Sequence, residues 1–285
     1  MAPLKPLVQP TDTRPSTAPS NAPLYAIIFD NFQKSTWFLI AASLQGLLTW
    51  LFPTVLTFLP ALFILAYRAL DPVLIMYGLR PNPYMKDVIP GKISAQVPDE
   101  TGQFGEQPSR KTVVVLLLGS RSNHPLGILY PEYQKIEKFI SEMMQDLETN
   151  REEYTFLTSS SWISNSDSIR NVARETMTVF YFQSLEGLHR FSHGPSHRAG
   201  WDWWNQTVKE HPNLSIMHEV YEAPAGSWEN VYMNYWPTSF AKAQFPINRG
   251  DVEKETDGQQ KKWIGNIVDA SRMNMKSSMN RLGRR

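Results

Sequence analysis

Cysteine is absent from all 285 residues. That absence excludes disulfides, thiolate metal sites, iron–sulfur clusters and a cysteine nucleophile. Net charge is also nearly absent: 28 basic against 27 acidic residues leave +1, too little for a nucleic-acid footprint, so no nucleic-acid partner is expected. No G-x-S-x-G elbow, Walker loop, dinucleotide fingerprint or H-E-x-x-H pair occurs. Nucleotide-driven chemistry and serine hydrolysis therefore have no sequence support. Aromatic rings, by contrast, are plentiful. Nine tryptophans within a 12% aromatic content suit a membrane interface or the wall of an apolar pocket.

Residues 1–23, "MAPLKPLVQPTDTRPSTAPSNAP", are rich in Pro, Ser and Thr and show no hydrophobic period, which predicts a disordered tail. No apolar core follows the first Met closely, so the tail is not a signal peptide. A membrane-associated helical segment is expected over 24–80. Within it, residues 37–67 carry no charge, and Lys34 and Arg68 bracket the run. About 20 apolar residues cross a bilayer as a helix, so the run is long enough. Trp37, Trp50 and Tyr67 are candidate interface rings. Pro53 and Pro60 leave two topologies open: one kinked span, or a hairpin of half-helices meeting near Phe52 and Pro53. The stretch 72–78 extends the second helix along the interface. Basic residues on the two flanks are nearly balanced and favour a cytosolic side for the following domain; an endoplasmic reticulum or other endomembrane is the expected location, with membrane lipid as a partner.

Beyond a connector over 81–110 the pattern becomes that of a soluble domain, 111–245. "KTVVVLLLG" (111–119) reads as a buried strand, and 131–148 as a helix with Tyr133, Ile136, Phe139, Ile140, Met143, Met144 and Leu147 on one face. Strands follow at 154–164 and 175–183, and then a helix with Ser184 as N-cap. A further helical piece covers 196–210, a strand covers 214–223, and 227–234 is a candidate extra strand. Strand, helix, strand, strand, helix, strand is the split β-α-β order of an α+β, ferredoxin-like fold. Both helices then cover one sheet face, and a second copy is expected to cover the other, giving a homodimeric α/β barrel. Residues 246–285 turn polar and are expected to be a solvated tail, with a basic end able to touch anionic lipid.

The densest chemistry lies in "FSHGPSHRAGWDWW" (191–204). On one helix His197, Trp201, Trp204 and Val208 share a face, while Arg198, Asp202, Asn205 and Lys209 take the wet one. Two readings stay open for that face: a packed core, or the wall of a cavity between helix and sheet. His193 and His197 have the i, i+4 spacing of metal ligands, but Gly194-Pro195 intervenes and separates their faces. A single histidine on haem iron needs less geometry and remains an alternative. Arg121 and Asn123, directly after the first strand, point to a common side. His218 and Glu219 face opposite ways on the last strand. Trp228, Glu229, Asn230 and Asn234 crowd the stretch beyond it, with Arg121 a candidate partner for a buried carboxylate.

These residues carry a resemblance. "VVVLLLGSRSN", "VFYFQSLEGLHRFSHGPSHRAGWDWWNQT" and "IMHEVYEAPAGSWENVYMN" resemble a fungal monooxygenase family with a member in the fumagillin pathway, over roughly residues 70 to 240. The family is similar to antibiotic-biosynthesis-type monooxygenases with the dimeric α/β barrel fold. Other relatives look like haem-containing aldoxime dehydratases. The resemblance implies oxygen insertion from O2 into a hydrophobic terpenoid or polyketide intermediate of secondary metabolism, with no cofactor predicted. In that setting His218 and His197 are candidate bases, and Arg121 and Asn123 candidate donors to an anion. Trp201, Trp204, Trp228, Glu229 and His193 are candidate substrate contacts. A haem-binding dehydratase or haem-degrading enzyme, and a membrane scaffold without catalysis, are the alternatives.

Overall fold

The computed structural model describes residues 3–14, 24–164, 174–247, 262–272 and 275–284. Its central sheet contains β2 (Val113–Ser122), β3 (Phe156–Ile163), β4 (Glu175–Phe182) and β5 (Leu214–Ala223) in the order β3-β4-β2-β5. Every neighbouring pair is antiparallel. With helix α4 (Pro131–Thr149) after the first of these strands and α5 (Leu185–His193) and α6 (Pro195–Thr207) after the third, this is the expected ferredoxin-like arrangement. The helices form because their apolar residues recur at helical spacing. Pro131 and Pro195 open α4 and α6 at positions where the missing N–H costs nothing. Ser184 caps α5, its side chain accepting from the Gly187 N–H at 3.1 Å.

Strand alternation divides the sheet between two cores. Val114, Phe156, Phe180 and Phe182 face the helices and pack with Leu147, Leu188 and Phe191. Val113 and Leu157 face the other way, toward Phe240, Phe245, Ile264, Ile267 and Val268. This second layer was not expected. It holds a sheet of β1 (Ile89–Ala95), β6 (Tyr232–Tyr235) and β9 (Ile267–Asp269), and a ribbon of β7 (Gln244–Ile247) with β8 (Lys262–Gly265). The connector 81–110 thus contains a core strand, and the extra strand in 227–234 begins at Tyr232 and pairs with β1 rather than with the central sheet.

Both tails need correction. Leu4 is buried in the second layer. Leu7 donates to the Ile267 carbonyl at 3.0 Å, and Thr11 and Trp263 exchange backbone hydrogen bonds at 2.8 Å. Arg14 reaches Glu148 on α4 at 2.6 Å. The segment expected to be disordered is thus a packed edge over 4–14, while 15–23 lies outside the described residues. The tail from 246 onward returns as β8, β9 and the short helix α7 (Ser278–Arg281), with Ile264, Val268 and Met275 buried. Its charged stretch 248–261 lies outside the described residues, as do 273, 274 and 285. The layer also covers part of the sheet face assigned to a second copy. Trp162, Met217 and Tyr221 stay exposed on the rest.

After α1 (Leu24–Asn31) the apolar segment forms two helices, α2 (Lys34–Leu51) and α3 (Thr54–Met76). They are separated at Phe52 and Pro53, whose backbones are extended. Neither helix has a buried residue. The helix α3 is long and apolar enough to cross a membrane, with a mean hydropathy of 1.7. Trp50 is 81% exposed, whereas Trp37 stacks on Phe29 and donates to its carbonyl.

Candidate active site

A cavity of about 860 Å³ lies between the sheet and helices α4, α5 and α6. β2 and β5 present Leu116, Leu118, Ile216 and His218 to it on the helix side. Its floor comes from α4 through Phe139, Ile140 and Met143, and its wall from α6 through Trp201, Trp203 and Trp204. Gly200 lets the wall approach: a Cβ there would lie 2.8 Å from Met143 Cε and 3.4 Å from Phe139 Cβ. The lining contains no Asp, Glu, Lys or Arg. Its polar groups are Ser120, Ser192, His189, His197 and His218. The cavity reading of the 197–208 face therefore stands over the packed-core one, although Val208 itself is exposed and outside the lining.

His197 is the half-buried histidine of this group. Loss of water, the largest influence on it, pulls its imidazole below the ordinary value. The nearby His218, then His193, lower it further. Its Nδ1 is buried without a hydrogen-bond partner. The imidazole is thus held neutral near pH 7 with a nitrogen free to accept a proton or bind a ligand. His218 reaches the same chamber from β5, opposite Leu118 of β2 in the register. At the far end Ser120 Oγ lies 3.1 Å from the Tyr133 hydroxyl and 2.9 Å from Thr176 Oγ1. Burial, followed by the Glu137 charge, pushes the Tyr133 phenol up to about 12. This end of the cavity offers hydroxyls, with the Glu137 carboxyl beside them, its own pKa raised by burial against the Tyr133 and Ser120 hydroxyls.

Of the nine expected site residues, His197, His218, Trp201 and Trp204 meet in the cavity, and five do not. Arg121 and Asn123 do share a side, as expected, but it is the side away from the helices. Arg121 Nε donates to Asn123 Oδ1 at 2.8 Å and its guanidinium pairs with Glu175 at 3.4 Å, while Asn123 donates to Ser215 Oγ. Parity fixes this: Leu118 and Ser120 point into the cavity, so Arg121 cannot. Trp228 and Glu229 follow a turn at Gly226, whose φ of 72° suits glycine, and pass to the second layer. There Trp228 donates to the Lys111 carbonyl and packs edge-on to Phe240. Glu229 meets Arg281, not Arg121, at 2.6 Å. His193 ends α5, exposed, with Nδ1 2.7 Å from the His189 carbonyl. The break at Gly194 does separate it from His197.

His189, Ser192, Ser120 and Trp203 were missed. A signal existed for the first two: Leu185, Leu188, His189 and Ser192 lie three and four residues apart on α5. Among the described residues, no group of three or more His, Asp or Glu is placed to hold a metal ion. Haem fits poorly as well. The lining offers histidines but no cation to meet two propionates.

Comparison with known proteins finds relatives of this chain. A family model described as monooxygenase af470-like matches residues 113–240. Over 282 residues, 99% of this chain and 98% of the relative, the sequence is 30% identical to Monooxygenase af470 of Aspergillus fumigatus. Among solved structures, an aldoxime dehydratase in complex with butyraldoxime is similar over 53% of this chain, at 15% identity and a TM-score of 0.39. This chain spans only 39% of that one. SnoaB, a cofactor-independent oxygenase from Streptomyces nogalater, is similar over 38% of this chain and 90% of its own, at 7% identity and a TM-score of 0.23.

Proposed function

The chain belongs to the monooxygenase af470-like family of oxidoreductases, and from that premise we propose that its cavity oxidises an uncharged, hydrophobic natural-product intermediate. The observation that carries this reading is a chamber of about 860 Å³ lined by three histidines and three tryptophans, with no charged residue in the lining. A ligand bearing a formal charge would be buried there without a partner, at high cost. A terpenoid or polyketide skeleton with one or two oxygen functions suits it, the functions meeting Ser120 or the imidazoles.

Insertion of one oxygen atom from O2 into a C–H bond takes two electrons from the substrate and two from a reductant, with two protons, and releases the second oxygen as water. A substrate whose reacting carbon bears two hydrogens can supply all four electrons itself, CH2 + O2 giving C=O + H2O; any other draws the second pair from an external electron-transfer partner. His197, neutral and with its Nδ1 unpaired, is the base that raises the electron density of such a substrate. His218 holds the developing anion or peroxide, and the tryptophans exclude water from it. The exposed helices α2 and α3 anchor the domain to an endomembrane, so that a greasy substrate reaches the chamber without crossing water. The sheet face left open around Trp162, Met217 and Tyr221 supports a homodimer contact.

Deletion of the gene, with mass spectrometry of the accumulating metabolites, tests the reaction. The expected compound lacks one oxygen atom of the mature product, and 18O2 feeding of the complemented strain restores that atom with label. An unchanged metabolite profile, or label arriving only from water, sinks the proposal.

A further inference from the structure

The ends of the apolar segment are built into one folded body. Before the segment, Leu4 donates to the Gly105 carbonyl at 3.1 Å, Leu7 to Ile267, and Thr11 pairs with Trp263. Immediately before α2, Asn31 is fully buried in a latch. Its Nδ2 donates to the Leu126 carbonyl and its Oδ1 accepts from the Ile128 N–H, each at 3.0 Å. Arg174 ties the same loop through the His124 and Pro125 carbonyls. After the segment the chain enters that body again at β1, between β6 and β9. A membrane cannot pass through a packed domain, so Asn31 and Ile89 lie on one side of it. A single kinked span would put them on opposite sides.

Length then decides how deep the helices go. Residues 35–51 and 54–67 are uncharged, and Lys34 and Arg68 close the two arms. At 1.5 Å per residue these uncharged arms rise about 25 Å and about 21 Å, both short of a hydrocarbon core of about 30 Å, and α3 reaches spanning length only by continuing past Arg68 and Asp71. The turn between them, Phe52 and Pro53, offers nothing polar to water on a far side. Polar side chains near the turn are satisfied internally: Thr49 Oγ1 donates to the Gly46 carbonyl at 2.9 Å, Thr57 Oγ1 to the Thr54 carbonyl at 2.8 Å, and Gln45 Nε2 to the Thr57 carbonyl at 3.4 Å. A bilayer interior demands that accounting. At the base, Arg80 returns to Tyr67 at 2.9 Å and to Asp71, which holds the chain leaving α3 beside the polar end of its arm.

We infer that α2 and α3 form a re-entrant hairpin that enters the bilayer from the side of the catalytic domain, buries the Phe52–Pro53 turn among acyl chains, and leaves on the same side. The partner is the bilayer itself, and the inference rests on the membrane anchoring proposed above. Because the chain has no cysteine, single labels are clean. Gln33→Cys and Leu79→Cys mark the two bases and Phe52→Cys the turn, in full-length protein inserted into preformed, sealed phosphatidylcholine vesicles. Flotation is read first, and protein that stays with the buffer refutes the anchor and this inference together. For floating protein, a bilayer-impermeant maleimide is expected to label both base cysteines from outside. The turn cysteine is expected to resist the reagent from either side, and a fluorophore attached there to be quenched by lipids spin-labelled deep in their chains. Base cysteines on opposite sides, or a turn cysteine reactive from the lumen, overturn the hairpin while leaving the anchor standing. If Phe52→Cys does not fold, Leu51→Cys and Val55→Cys read the same depth.

Discussion

His197 meets the ring of Phe191 edge-on, with centroids 5.6 Å apart and planes inclined by 71°. The two are on different helices, and the Gly194 break between α5 and α6 folds one onto the other. The contact packs the imidazole against apolar carbon rather than a carboxylate, so it stays uncharged.

That burial has a measurable pH signature. The folded value of His197 lies below the unfolded one of about 6.5, so the unfolded chain binds the proton more tightly. Stability from this residue is complete above the ordinary value and declines as pH falls through it toward the depressed folded value. Thermal melts between about pH 7.5 and about pH 5 should show a steeper loss for the wild type than for His197→Phe. Turnover by His197→Gln should drop by about 100-fold or more, as expected for loss of a general base.

Filling the chamber should stop the reaction without unfolding the protein. Leu118→Trp projects a larger side chain beside His218. Mass spectrometry of the complemented deletion strain should find the precursor and no product. Arg121→Ala, on the opposite face in an ion pair with Glu175 whose partners are each about a third exposed, should leave product formation intact and cost under about 1 kcal/mol.

The ion pair in the second layer behaves otherwise. Arg281 is 5% exposed, and its Nε donates to Glu229 at 2.6 Å while Nη1 donates to the Met275 carbonyl. Arg281→Met leaves Glu229, about a quarter exposed, with only the Ser278 hydroxyl, and should cost about 1–3 kcal/mol in urea denaturation.

Two glycines should separate in the same assay. A Cβ at Gly187 overlaps Thr155 Oγ1 and the rigid Tyr154 carbonyl, so Gly187→Ala should cost about 3 kcal/mol. At Gly200 the nearest atom is the flexible end of Met143, and Gly200→Ala should cost below about 1.5 kcal/mol.

The helix side of this protein was legible because its information is periodic and local. Apolar residues three and four apart fixed the faces of α4 and α6, and with them Trp201 and Trp204 in the cavity wall. Strand parity showed that Arg121 and Asn123 share a side but not which side, since that depends on where the helices land. The second layer was illegible for a different reason. It is assembled from residues 4–14, 89–95, 232–235 and 262–269, each too short to carry a period, and each stabilised only by partners far away in the chain. Proline and charge around those pieces make them resemble solvent-exposed tails.

Pairing Thr11 with Trp263 also orders events during biosynthesis. At about 5–20 residues per second, a ribosome needs on the order of tens of seconds to reach the partner of that early segment. For that interval the amino-terminal edge has nothing to pair with, while the hydrophobic helices that follow it have already emerged and must find lipid or a chaperone. Maturation therefore runs from bilayer insertion to closure of the outer layer, and truncation near the carboxyl end strands the amino terminus as surely as cutting it off.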